Sequence, residues 1–193
     1  MQSTVNVAAA SPKTTGGLLA GPLGTALPTS ESTTLDAALK ALGYVGEDGI
    51  SPSGDAASLT DITAWGGDIV ASIEESKSIE RFGFTLLEFF NPDVNAHLFG
   101  TSNVTVTAAA GGSGTKLAIK STGYSIPLGV YVFDMNYKGK LIRYVVPNGQ
   151  LLVTAELPLV HTDATGYECE LTCLPDATGV RTYRYLANDD VAA

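Results

Sequence analysis

Basic residues are scarce in this chain, and so are cysteines and long apolar runs. Eleven Lys and Arg stand against 20 Asp and Glu, a net charge of −9. That balance excludes the broad cationic footprint by which proteins grip nucleic acid. No apolar stretch is long enough to span a bilayer. Met1-Gln2-Ser3-Thr4 offers no basic start, and Gly21-Pro22 breaks the Leu18-Leu19-Ala20 patch, so no secretory signal is read and a soluble cytoplasmic product is expected. Cys169 and Cys173 are the only cysteines. Four residues apart on an extended segment they stand roughly 13 Å from one another, too far for a disulfide, and read as two buried thiols.

What is present is apolar bulk. With 45% hydrophobic and 16% charged residues over 193 positions, the chain can bury one sizeable core, and one domain is expected. Residues 1–30 form an arm rich in Ala, Gly, Thr, Ser and Pro, interrupted by Gly16-Gly17, Gly21-Pro22 and Leu27-Pro28. It cannot fold alone, but its leucines suit docking on the same subunit or on a neighbour. Residues 31–193 form the β domain. Thr33 and Asp36 have capping-box spacing, Leu35, Leu39 and Leu42 helical spacing, and Gly43 is a stop signal, so a short helix is expected there. Residues 44–66 read as a long connection.

From Gly67 onward a period of two dominates. Ile69, Ala71 and Ile73 share one face, as do Phe82, Phe84 and Leu86, while Val104 and Val106 alternate with threonines, all suggesting half-buried strands. Asn91-Pro92-Asp93 is a helix start and Gly100 its end. Gly111-Gly112-Ser113-Gly114, Lys138-Gly139 and Pro147-Asn148-Gly149 read as hairpin turns. Tyr131, Phe133, Met135 and Tyr137, then Leu151 to Leu159, then Tyr167, Cys169, Leu171 and Cys173, continue the alternation, and residues 180–185 are a last strand. Eight to ten strands and two short helices make an all-β sandwich or barrel with minor helix.

Chemistry is thin. His97 reads as a surface residue of the second helix. His161, Cys169 and Cys173 lack a fourth zinc ligand and suitable spacing. Glu74-Glu75 and Glu88 lack the arrangement of a glycosidase pair, because neighbours on one strand face opposite ways. Glu47, Asp48, Asp55 and Asp61 lack the regular spacing of a calcium loop. No nucleophile triad or phosphate-binding glycine pattern occurs. No catalytic residue, metal or cofactor is therefore expected. Trp65-Gly66-Gly67 admits two readings, a core tryptophan beside a tight turn or a contact hinge between subunits.

The arm, the helix Leu35-Asp36-Ala37-Ala38-Leu39, the segment from Leu42 to Ile50, the Ala64-Trp65-Gly66-Gly67-Asp68 corner, Phe84-Thr85-Leu86-Leu87-Glu88 and Asn91-Pro92-Asp93-Val94 follow one another in a telling order. Over roughly residues 20–110 this order is similar to that of the major tail protein, or tail tube protein, of long-tailed, siphovirus-type bacteriophages. The resemblance implies two packed, roughly orthogonal β-sheets with a flanking helix. It also implies homohexameric rings stacked into a tube in the virion tail, made in the host bacterial cytoplasm, through which DNA passes without specific binding. Tail tip or initiator, tape measure and tail terminator proteins are the implied partners. Tyr44, Glu47, Asp48, Trp65, Gly66 and Gly67 are the expected assembly contacts. A β-sandwich binding module, either an adhesin or a carbohydrate-binding domain, and a tail connector or terminator protein are the alternatives.

Overall fold

The computed structural model describes residues 6–13, 17–54, 58–75, 79–122, 126–157, 159–162 and 164–188. Twelve strands and one α-helix follow in order: β1 Leu18–Pro22, β2 Lys40–Ala41, β3 Ser51–Gly54, β4 Ser58–Thr63, β5 Ile69–Glu75, β6 Glu80–Leu86, α1 Pro92–Phe99, β7 Val104–Thr107, β8 Lys116–Ile119, β9 Leu128–Tyr137, β10 Lys140–Val153, β11 Tyr167–Cys173 and β12 Tyr183–Ala187. Eight of the strands make one sheet in the order β2-β1-β9-β10-β11-β6-β3, with β12 also on β10, while β4–β5 and β7–β8 are separate hairpins. All the pairings are antiparallel. The all-β reading with minor helix holds.

The long strand β10 organises this sheet. Its first half, Leu141 to Val145, pairs with β12, and its second half, Gly149 to Val153, pairs with β11. Its register with β9 slips between Val146 and Gly149, a bulge that bends the strand. Pro147-Asn148-Gly149 is therefore a bend within one strand and not the expected hairpin. The bend swings β11 and β6 over β9. Phe82 on β6 and Phe133 on β9 would stand three strand spacings apart on a flat sheet, about 14 Å, yet their ring centroids are 4.7 Å apart. Phe84 reaches the same Phe133 ring edge-on. Two wings of one sheet thus enclose the main core, which holds Leu18, Phe82, Phe84, Leu86, Tyr131, Phe133, Leu151, Leu171 and both cysteines. Gly149 sits where no side chain fits, because a Cβ there would meet the Tyr131 ring at 2.7 Å and Leu171 at 2.8 Å.

The period-two face of Tyr167, Cys169, Leu171 and Cys173 is buried on β11 as expected, whereas the strand expected to run from Leu151 to Leu159 ends at Val153, Val104 and Val106 lie on a mostly exposed strand, and the last strand is Tyr183–Ala187. Both cysteines are free, and burial raises each thiol to about 12. They stay protonated and unreactive at neutral pH.

The helix expected over residues 35–42 is absent. Asp36 instead accepts the Ala38 N–H at 2.8 Å in a tight turn, and β2 follows at once. So short a helix is marginal alone, and packing decides otherwise: Leu27, Leu35 and Leu39 cover a second cluster of Leu19, Val130, Val132 and Val145. A polar clasp holds this covering segment. Arg143, buried on β10, donates to both carboxylate oxygens of Asp134 at 2.8 Å. Its remaining N–H groups reach the carbonyls of Ser30 at 2.8 Å and Thr33 at 2.7 Å. Lys13 donates to the same carboxylate at 3.1 Å, and Asn136 N–H to Ser11 at 2.7 Å. Of the two docking partners open to the arm, its described residues use their own subunit, and β1 within it is a core strand.

Helix α1 begins as expected, with the Asn91 side chain accepting from Asp93 N–H at 2.9 Å, and ends at Gly100. A 3₁₀ turn over 101–103 follows it. Asn95 is buried and accepts the Tyr167 hydroxyl at 3.0 Å. His97 is not the surface residue expected. It lies edge-on against Tyr131, centroids 5.5 Å apart, and burial pulls its pKa below the ordinary value against an opposing pull from Asp93.

Two outcomes follow. Gly149→Ala should lower stability by about 1–3 kcal/mol through overpacking, read as a fall in the unfolding midpoint. Because the unfolded chain protonates His97 more readily than the folded one, stability should fall as pH drops through about 6.5. Denaturant unfolding at pH 7 and pH 5 should show a smaller difference for His97→Asn, and an unchanged difference would refute the assignment.

Candidate assembly surfaces

Within the stretch expected to be a long connection, the chain forms β3 and the first strand of a hairpin. Strands β4 and β5 pair from Ser58↔Glu75 to Thr63↔Ile69, with a bulge after Ile62. The turn is closed by Ala64 N–H to Asp68 at 2.8 Å and Gly67 N–H to Ala64 at 3.0 Å. Gly66 and Gly67 adopt φ of 125° and 96°, conformations that side chains resist, which explains the paired glycines. Ser72 donates to Asp61 across the strands.

Every residue from 59 to 73 is exposed. Ala71 and Ile73 share a face with Ile62, but the bulge puts Ile69, paired with Thr63, on the opposite face, and neither face is half-buried as expected. Trp65 is 107% exposed at the hairpin tip, which overturns the core reading of that residue. Alternation marks a strand face as apolar without saying what covers it, and here no described residue of the same chain does.

A second surface lies at the far end of β6. There Tyr44 accepts from Leu87 N–H at 3.0 Å and donates its own N–H to the Glu88 carboxylate at 3.2 Å. Glu88 also accepts from the Asn91 side chain at 2.9 Å, so it ties the Tyr44 segment to the helix start. Beside it opens a groove of about 880 Å³ lined by Leu87, Phe89, Phe90, Leu159 and their neighbours. Phe89 stacks on Tyr167 at 5.1 Å, whereas Phe90 turns outward and is 83% exposed. Leu159, on the loop facing it, is 76% exposed.

The six expected contact residues therefore occupy two places. Trp65, Gly66 and Gly67 form the hairpin tip. Tyr44 stands at the groove end of β6, and Glu47 and Asp48 sit exposed on the turn between Gly46 and Gly49. The groove residues escaped sequence reasoning, although the Phe89-Phe90 pair was a signal: adjacent aromatics ahead of a helix cap cannot both enter one core. The Asp55 position and the Glu74 and Glu75 side chains lie outside the described residues. Among the described residues no group of three or more His, Cys, Asp or Glu could hold a metal ion, and no helix is long and apolar enough to cross a membrane.

A family model described as phage tail tube protein matches residues 4–193, nearly the whole chain. None of the curated proteins matches it at a significant level.

Since Trp65 is fully exposed, Trp65→Ala should leave the unfolding free energy of the monomer within about 0.5 kcal/mol of the parent. A larger loss in chemical denaturation would place the indole in an intramolecular contact.

Proposed function

This chain belongs to the phage tail tube protein family and so is a structural component of the virion tail, and from that premise we propose that its copies assemble as hexameric rings stacked into a tube that conducts DNA into the host. The observation that carries this reading is the hairpin of β4 and β5, a two-stranded element rich in apolar side chains that no described residue covers. Exposed apolar strands are a liability in a lone protein and an asset in a polymer. The hairpin tip, Tyr44 at the end of β6 and the turn carrying Glu47 and Asp48 are the contact sites between copies. Tail tip or initiator, tape measure and terminator proteins are the partners that start, measure and end such a tube.

Charge suits the conduit. Between Lys40 and Lys77 the chain carries Glu47, Asp48, Asp55, Asp61, Asp68, Glu74 and Glu75 and no basic residue. Six copies at −9 each give −54 per ring, and carboxylates turned toward the lumen would keep phosphates from adhering as DNA slides past.

Negative-stain microscopy of the purified chain across a concentration series tests the reading. Rings or tubes of uniform width with an open channel are expected. Closed rings that never stack would favour a connector or terminator, and a monomer at every concentration would count against self-assembly. Replacing exposed carboxylates outside those contacts in groups (Asp36 with Glu156, Glu156 with Glu168) by their amides should, for at least one group, slow DNA release from tails of normal shape. Unchanged release in every group would sink the lumen charge argument.

A further inference from the structure

We propose that Trp65 at the hairpin tip of one copy seats in the groove of Leu87, Phe89, Phe90 and Leu159 on the next copy; this rests on the tube reading and names the contact that propagates it. The two features belong to opposite ends of one strand. Gly54 pairs with Glu80 at the end of β6 from which the hairpin springs, while the groove begins at Leu87, just past the other end. Strand β6 runs about 20 Å between those ends, and β4 carries the tip about 20 Å farther from its base. With residues 59–73 exposed throughout, the hairpin does not fold back on its own body. A second copy must therefore supply the occupant. Each copy then offers one tip and one groove, a head-to-tail contact that leaves both partners open at the ends and so propagates.

Size and chemistry agree. Leu59, Ile62, Trp65, Ile69, Val70 and Ile73 are exposed by 43% to 107%. The register puts Ile62 and Ile73 on one face of the hairpin and Leu59 and Ile69 on the other, so apolar surface flanks the tip on both sides. The groove, about 880 Å³, has room for the indole and its flanking residues. Glu88 lines it, and among the described residues each of its carboxylate oxygens accepts one hydrogen bond, from Tyr44 N–H and from the Asn91 side chain. An oxygen has a lone pair left for the indole N–H, which can only donate.

Trp65 is the sole tryptophan, so its fluorescence reports the contact directly in the full chain. On assembly, followed by light scattering, the emission should shift to the blue as the indole leaves water. Leu159→Asp and Phe90→Asp alter exposed side chains, so their far-UV circular dichroism and unfolding midpoints should match the parent while the blue shift and elongation are lost. In a second measurement, Trp65→Cys chains mixed with Leu159→Cys chains under mild oxidation should yield covalent dimers, and neither variant alone should. The natural thiols are buried and do not compete. Tubes that form without a blue shift, or that elongate normally with Leu159→Asp, would overturn the proposal and leave the tube reading standing. So would tip-to-tip linkage of Trp65→Cys alone. A blue shift that appears only with added lipid vesicles would assign the tip to a membrane instead. A parent chain that never associates would remove the tube reading and this contact with it.

Discussion

The bend in β10 is the constraint on which the rest of the structure depends. A sheet with the order β1-β9-β10-β11-β6 could lie open and leave one face wet. The slip in register between Val146 and Gly149 turns its second half over its first, so Phe82 meets Phe133 and Phe84 approaches from the side. A single bulge converts one sheet into a closed sandwich by letting a strand serve both wings. Gly149 is the residue that makes the corner tight, since the Tyr131 ring and Leu171 occupy the space of any side chain there.

Closing the main core leaves the outer face of the β1, β9 and β10 wing to be covered, and the chain covers it with its own early residues. Arg143 serves as the rivet. Its planar guanidinium engages Asp134 through two parallel bonds and still reaches two carbonyls of the covering segment. A buried pair of this kind is weak evidence for net stability, because desolvation offsets much of the attraction. Its contribution is geometric: it holds residues 30–33 where Leu27 and Leu35 can seal the second cluster. Both faces of the β1, β9 and β10 wing are then covered, in contrast to the β4–β5 hairpin, where every residue from 59 to 73 is exposed.

Much of the fold was legible because strand period and cap chemistry are local. The burial alternation of β6 and β11, the Asn91 cap and the Lys138-Gly139 turn follow from neighbours within a few residues. Errors fell where a distant contact decided. The Leu35, Leu39 and Leu42 spacing suits a helix, but the leucines instead divide between two clusters on either side of the sheet. Pro147-Asn148-Gly149 has the composition of a turn, and only the crossing of the two wings makes it a bend. Trp65 illustrates the limit for the candidate site: an indole beside two glycines looks the same in sequence whether it faces a core or another molecule.

By itself, the amino-acid sequence determined the class of protein: an all-β chain, acidic, with two buried thiols and no constellation of catalytic groups, in the feature order of a tail tube protein. These properties are sums over residues or patterns of period two, and they survive any arrangement of the strands. Tertiary structure alone decided which apolar faces are covered. Burial depends on what packs across from a face, and that partner lies far away in sequence, while for Trp65 and its hairpin no described residue supplies it.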